Sequence, residues 1–91
     1  MDVNKFKKSL LQKMVNVKID DLKVKHFYPL RYLFFDFRGM FDVSDDFYKG
    51  MLFEMNKEGL IEIDKNGFEE LDRYSIFVTR KGVEYLLKDK I

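Results

Sequence analysis

Residues 43–63, VSDDFYKGMLFEMNKEGLIEI, decide the fold because they contain a helix whose two ends are both marked in the sequence. Ser44 is a favoured N-cap residue, and the two aspartates after it lie where the helix dipole stabilises negative charge. Gly59 suits the left-handed position that closes a helix, with Leu60 beyond it as in a Schellman cap. The stretch therefore predicts a helix over about 45–58. The residues expected on its buried face are Phe47, Met51, Leu52 and Met55.

The residues after this helix predict a β-hairpin and a final helix. Apolar and β-branched residues favour strands at 60–64 and 74–78, and Asn66-Gly67 between them is a strong hairpin signal. The segment FEELDR interrupts the alternation and indicates a loose acidic loop. Thr79 is expected to cap a helix over about 80–89. The inward-facing residues of that helix are expected to be Val83, Leu86 and Leu87.

The first part of the chain predicts a helix over 3–15, with either Asp2 or Asn4 as its cap. Its apolar residues recur at helical spacing. The residues that follow predict a short strand at 15–19 and a brief helix that begins at Asp20-Asp21 and ends at Lys25 or His26. The residues of the first helix that we expect to be buried are Phe6, Leu10, Leu11 and Met14.

Another helix is predicted over about 29–38. Pro29 is suited to a first helical position because its missing N–H costs nothing there, and Gly39 supplies an end. Phe35 falls off the apolar stripe and is expected to be partly exposed. That stripe consists of Leu30, Leu33, Phe34 and Phe37.

Length and composition indicate one domain spanning residues 1–91. The chain is 46% hydrophobic, with ten Phe and five Tyr, which is enough for an aromatic core. It has no Cys, which excludes disulfides and thiolate metal sites from the expected functions. No apolar run approaches the roughly 20 residues that a membrane helix requires. We therefore expect a soluble, cytoplasmic protein.

Charge is distributed unevenly although the net charge is only +1. Residues 1–31 contain eight Lys or Arg against three Asp, and residues 73–91 contain five Lys or Arg against two acids. Residues 32–72 contain four basic and eleven acidic residues. A uniformly basic DNA-binding surface is therefore not indicated, although a basic surface built from the two ends of the chain is compatible with the sequence.

Two stretches resemble winged-helix proteins: the capped helix with its exit at 43–63, and YSIFVTRKGVEYLL at 74–87. The order helix, EGLI, strand and T-x-x-G is common to many of them. The first stretch is also similar to the small phage- and prophage-associated YjcQ-type winged-helix family, in which an acid-capped helix leads into EGY or EGLI. The resemblance implies an α+β winged helix-turn-helix, with a helical core, a small antiparallel hairpin as the wing and a C-terminal helix. It further implies DNA binding in a regulatory role.

Within that resemblance, the helix over 29–38 has two interpretations. It either serves as the helix that positions the next one, with 3–15 as the first helix, or that positioning element is degenerate. The first arrangement is preferred because it also accounts for a short strand near the wing. The choice determines how the helix over 45–58 would be presented to DNA.

Candidate DNA contacts follow from the outer face of that helix. Lys49 and Lys57 are residue types that contact phosphates or bases, and Gly50 permits close approach of a backbone. The hairpin and the two ends of the chain supply the other basic or polar candidates. The hairpin candidates are Lys65, Asn66 and Arg73, and the candidates from the ends are Lys5, Lys7, Lys8, Lys13, Arg80 and Lys81.

The alternative is a protein-interaction module that does not bind DNA. Phe35, Phe53 and Glu54 would form its contact surface, since exposed aromatics suit protein partners and acids repel phosphate. A homodimer is compatible with either function. An enzyme is not expected: the single His26 is interpreted as a packing residue, and no phosphate loop, metal site or cofactor motif is present. No small-molecule substrate is indicated.

Overall fold

The computed structural model describes residues 2–15, 31–67 and 69–88, which adopt an α+β fold. Its helices are α1 (Val3–Val15), α2 (Asp45–Lys57) and α3 (Arg80–Lys88), and its strands are β1 (Arg31–Leu33), β2 (Ile61–Asp64) and β3 (Ser75–Val78). The strands form one antiparallel sheet in the order β1-β3-β2. The predicted α+β class, the antiparallel hairpin of β2 and β3, and the helix after it are confirmed.

The first helix begins at an aspartate cap. Asp2 Oδ1 accepts hydrogen bonds from the N–H groups of Asn4 (2.9 Å) and Lys5 (3.4 Å), so Asp2 rather than Asn4 is the cap. All four residues predicted to be buried in α1 are fully buried. Lys7 is buried as well, at 7% exposure, which its type did not indicate.

Both ends of α2 are formed as the sequence predicts. Ser44 Oγ accepts from the N–H of Phe47 at 3.1 Å. At the other end Gly59 adopts a φ of 84°, and the N–H of Leu60 donates to the carbonyl of Met55 at 2.9 Å, which is the Schellman pattern. Because nearby groups satisfy backbone hydrogen bonds at both ends, α2 ends within one residue of its predicted limit.

The helix predicted over 29–38 is wrong across residues 31–38. Residues 31–33 form β1, which pairs with β3, and residues 38–40 form a single 3-10 turn. Tyr32 faces the core while Leu33 is 49% exposed, so the side chains alternate as in a strand. Aromatic residues favour strands, and a partner strand was available, so pairing prevailed over the helical spacing.

The sheet is completed by side chains at both of its edges. The N–H of Leu33 donates to Asp36 Oδ2 at 2.7 Å on the β1 edge. On the β2 edge the N–H of Ile63 donates to Asn56 Oδ1 at 3.1 Å, which ties the strand to α2. Each bond satisfies one backbone N–H of an edge strand that points away from β3.

The junction of α2, β2 and α3 depends on close backbone contact. The Thr79 hydroxyl accepts from the N–H of Gly82 at 3.0 Å and donates towards the carbonyls of Gly59 and Leu60. A Cβ atom on Gly82 would lie 2.1 Å from the carbonyl oxygen of Leu60. The T-x-x-G motif therefore caps α3 and lets its first turn pack against the exit of α2.

The core is aromatic, and its centre is Tyr48. This residue is fully buried, and its hydroxyl donates to the carbonyl of Phe34 at 2.6 Å. Burial raises the pKa of Tyr48 to about 12. The sequence placed Phe47 in the core instead, but Phe47 is only half-buried and packs edge-on to Phe6. Leu87 of α3, also predicted to face inward, is likewise half-buried.

Some predictions fall on residues outside the described ranges. These are residues 16–19 of the strand predicted at 15–19, the helix over 20–26 with His26, and residues 29–30 of the helix predicted over 29–38. Val15, the first residue of the predicted strand, is instead the last residue of α1. No helix in the described part of the chain combines the length and apolar character needed to cross a bilayer.

Candidate nucleic-acid interface

The outer face of α2 presents an aromatic residue between two lysines. Lys49, Phe53 and Lys57 follow one another at four-residue spacing, so they form a stripe along the helix. Phe53 is 36% exposed, and its ring centroid lies 5.4 Å from that of buried Phe34. Gly50 is exposed, with open space where a side chain would project. The predicted outward candidates of this helix are therefore at or near the surface.

The hairpin lies alongside this stripe. The Nζ atom of Lys65 is 5.6 Å from the ring centroid of Phe53 and 6.0 Å from that of Tyr74. These are cation–π distances. Asn66, in the turn, is exposed, and its N–H donates to Asp64 Oδ1 at 2.9 Å. The tip of the hairpin and the outer face of α2 thus form one continuous surface, to which Tyr74 contributes although the sequence did not single it out.

Ion pairs engage several charges of this region. Arg73 Nε lies 3.5 Å from Glu70 Oε2, so this candidate is partly neutralised within its own loop. Asp64 pairs with Arg31 at 3.1 Å. At the start of α2, Asp45 pairs with Arg38 at 2.6 Å. These contacts reduce the number of charges available to a ligand.

Among the described charged residues of α2 and the hairpin, most of those without an ion-pair partner are acidic. The basic residues of this group are Lys49, Lys57 and Lys65. The acidic ones are Asp46, Glu54, Glu62, Glu69 and Asp72. Five carboxylates against three ammonium groups give this surface a local field that disfavours phosphate.

The basic candidates near the two ends of the chain lie on α1 and α3, which pack together. Lys8 Nζ is 5.8 Å from the ring centroid of Tyr85, and the Tyr85 hydroxyl donates to Asn4 Oδ1 at 3.0 Å. Lys5, Arg80 and Lys81 are exposed or half-exposed. A Cβ on Gly59 would lie 3.4 Å from Lys81 Cδ, which places the stem of Lys81 against the end of α2.

Lys7 does not belong to this basic set, although the sequence suggested it as a phosphate contact. Its Nζ atom lies 2.7 Å from Glu58 Oε1, and its side chain is 8% exposed. The pair joins α1 to the last turn of α2. Lys7 is therefore a structural residue. The sequence signal that could have identified this role is the position of Lys7 on the inner side of an amphipathic helix.

The three residues of the protein-interaction alternative differ in their exposure. Phe35 is half-buried, and its ring stacks on Tyr48 with a centroid distance of 5.9 Å. Phe53 and Glu54 are exposed on α2. The rings of Phe35 and Phe53 both adjoin Phe34, at 5.1 and 5.4 Å. Phe53 is thus the exposed aromatic of this group, while Phe35 mainly supports the core.

Arg38 shapes the entrance to α2, a role that the sequence did not reveal. Its guanidinium donates to Asp45 Oδ1 at 2.6 Å, to the carbonyl of Phe41 at 3.1 Å and to the carbonyl of Val43. The planar fork of an arginine can satisfy all three acceptors at once. Arg38 therefore holds the segment that presents the first turn of α2.

No group of three His, Cys, Asp or Glu side chains suited to a metal ion occurs in the ranges 2–15, 31–67 and 69–88. Comparisons with known protein families, with curated proteins and with solved structures found no match for this chain.

Proposed function

We propose that this chain is a winged-helix protein that binds duplex DNA in a regulatory role of phage or prophage type. In this proposal α2 is the recognition helix, the β2–β3 hairpin is the wing, and the protein acts as a homodimer without a cofactor. The observation that carries it is the position of Lys65 over Phe53, because it places the tip of the hairpin beside the exposed face of α2. A recognition helix and a wing must be adjacent in this way to contact one duplex.

The residues on α2 are compatible with entry into a major groove. The groove is about 12 Å wide and admits one helix. Lys49 and Lys57 are separated by roughly 12 Å along α2 at 1.5 Å per residue, which lets them contact phosphates at different positions. Phe53 between them suits apolar contact with a thymine methyl group, and Gly50 allows a close approach.

Direct titration tests DNA binding. Random-sequence duplex DNA labelled with a fluorophore is titrated with the protein at about 50 and 200 mM salt, and anisotropy is measured. We expect micromolar binding at the lower salt concentration that weakens steeply at the higher one. Absence of binding at the lower salt concentration would rule the proposal out.

Selection from a randomised duplex library tests the role of α2. An enriched sequence is expected for the native protein, and Phe53→Ala is expected to alter that sequence. The control is Phe77→Ala, which removes a half-buried aromatic residue from the outer side of the sheet. A change of sequence preference in the control but not in Phe53→Ala would contradict the assignment of α2.

A second candidate function is a protein-interaction module, and the exposed Phe53 with unpaired Glu54 beside it favours this candidate. An exposed aromatic anchor on a surface where unpaired carboxylates outnumber ammonium groups suits a partner that carries basic residues around an apolar pocket. The two candidates predict different effects of Phe53→Ala. If the protein binds DNA, the variant changes the preferred DNA sequence. If the protein is an interaction module, the native protein does not bind DNA and the variant no longer captures the protein partner.

A further inference from the structure

The described residues of α1 and α3 have the opposite charge balance to α2 and the hairpin. Basic residues without an ion-pair partner predominate on these two helices, and the acidic residue on them is Glu84. Asp2, just before α1, is engaged as the helix cap. The basic residues without an ion-pair partner are Lys5, Lys13, Arg80, Lys81 and Lys88. The unpaired positive charge therefore lies on two helices other than α2, the helix that the resemblance assigns to base recognition.

The line of contact between α1 and α3, here called the seam, is centred on Tyr85. Its hydroxyl reaches Asn4, and Lys8 lies over its ring. Lys81 and Lys88 are four residues before and three after Tyr85, so they lie on the same side of α3 as that ring. On α1, Lys5 is one turn from Lys8 and is exposed. The seam is therefore flanked by lysines of both helices.

The seam and the outer face of α2 lie on different sides of the core. Phe6 of α1 packs against Phe47 and Tyr48 of α2, at ring-centroid distances of 5.6 and 6.4 Å. Phe53 is about 120–140° around α2 from those two residues, at roughly 100° per residue. It therefore points away from α1. Phosphates held at the seam would not belong to the base pairs that α2 contacts.

We infer that the seam is a second, sequence-independent binding surface for the phosphate backbone of duplex DNA, and that it supplies most of the salt-dependent affinity. The inference rests on the proposed DNA binding and adds the surface that carries it. The argument is charge complementarity: duplex DNA carries one negative charge per roughly 1.7 Å, and clustered lysines release its counterions. The field over α2 and the hairpin does not provide this.

Two triple variants with the same change of charge separate the surfaces. The seam variant carries Lys5→Gln, Lys81→Gln and Lys88→Gln, and the matched variant carries Lys49→Gln, Lys57→Gln and Lys65→Gln. Glutamine keeps most of each aliphatic stem and removes the charge, and circular dichroism verifies that both variants fold. Binding to random-sequence duplex DNA is measured by anisotropy across a salt series.

For the seam variant we expect at least a tenfold loss of affinity at low salt. The slope of log K against log salt should fall by about two to three, because each phosphate that the protein no longer neutralises lowers it by roughly 0.9. For the matched variant, which removes the lysines proposed to contact phosphates from α2 and the hairpin, we expect a smaller loss of affinity and a smaller fall of slope, because carboxylates outnumber ammonium groups on that surface. Equal losses in both variants, or a larger loss in the matched variant, would overturn the inference while leaving DNA binding intact. If the native protein does not bind at low salt, the proposed function itself is wrong and the inference falls with it.

Discussion

Two regions of this molecule contrast in how their structure is specified. The junction formed by residues 56–61 and 79–82 uses short-range capping motifs, and it folds as those motifs predict. Residues 31–43 carry a helical spacing of aromatic residues, yet they form a strand, a turn and a 3-10 segment. The junction shows that caps are reliable signals because their partners are nearby. The second region shows that an aromatic run takes its structure from more distant partners.

The largest effect is expected at the junction. Gly82→Ala should destabilise the protein by about 3 kcal/mol or more, because the new Cβ would clash with the carbonyl oxygen of Leu60, 2.1 Å away. That oxygen belongs to the backbone and cannot easily move. Urea denaturation measures the change in the free energy of unfolding.

Gly50→Ala is the matched control, because Gly50 is also helical but has open space around it. It should be neutral or stabilise by up to about 1 kcal/mol through helix propensity. If Gly82→Ala were as well tolerated as Gly50→Ala, the close contact at the junction would not exist.

The next effect is a loss of stability at high pH through Tyr48, which anchors residues 31–43 to α2. Its pKa is raised from 10.0 to about 12. Below pH 10 its hydroxyl is protonated in both states, and its contribution is complete. Between pH 10 and 12 the unfolded chain loses this proton while the folded chain keeps it, so the free energy of unfolding falls, by roughly 2–3 kcal/mol at about 1.4 kcal/mol per pKa unit.

Urea denaturation at pH 9 and 11 measures the first half of this loss, about 1.4 kcal/mol, with Tyr48→Phe as the reference. The variant lacks this ionisable group and retains every other ionisable side chain of the native protein. The native protein should therefore lose more stability than the variant between the two pH values. Parallel losses would show that the Tyr48 hydroxyl is accessible to water rather than buried against Phe34.

A substitution of Arg38 tests whether the structure of residues 31–43 depends on tertiary contacts. Arg38→Gln should cost about 1–2 kcal/mol, because it removes charge-assisted hydrogen bonds to the carbonyls of Phe41 and Val43. Arg73→Gln, which breaks an exposed pair with Glu70, should stay within about 0.5 kcal/mol. Thermal denaturation compares the two. An equal, small effect of both variants would show that Arg38 does not hold the entrance to α2.

The smallest effect is expected at the other end of α2. Gly59→Ala should cost about 1 kcal/mol because Gly59 has a φ of 84°, whereas Lys81 Cδ at 3.4 Å leaves room for the methyl group. Gly59→Asn should cost less, since Asn tolerates this conformation. Equilibrium unfolding of both variants checks the order. A cost that is the same for Ala and Asn would indicate a steric rather than a conformational origin.

The alternation of residues 31–34 became visible only in the folded structure. Tyr32 and Phe34 face inward while Arg31 and Leu33 are exposed. Because Leu33 is apolar like its neighbours, the sequence itself shows no period of two here. The position of Tyr48 was missed for a related reason, because neighbouring Phe47 is the more apolar of the two and only packing selects between them.

The candidate site was predicted in part. The exposure of Phe53 and the location of the hairpin tip follow from the helix and hairpin motifs. The pairing of Arg73 with Glu70 and of Lys7 with Glu58 does not follow from composition. Charge counts along the chain predicted that acidic and basic residues are segregated. Which individual charges are neutralised by ion pairs can be seen only in the folded structure.

The sequence alone determined the caps of α2, the left-handed Gly59 and the T-x-x-G start of α3, because each cap is satisfied by groups within a few residues along the chain. It also determined the hairpin, because the two strands follow one another directly in the chain. The tertiary structure decided that residues 31–33 are a strand, since their partners in β3 lie 42 to 46 residues later in the chain. It also decided which lysines are paired and how α1 and α3 meet at Tyr85. These outcomes depend on contacts between distant residues, whose free energies no local pattern contains.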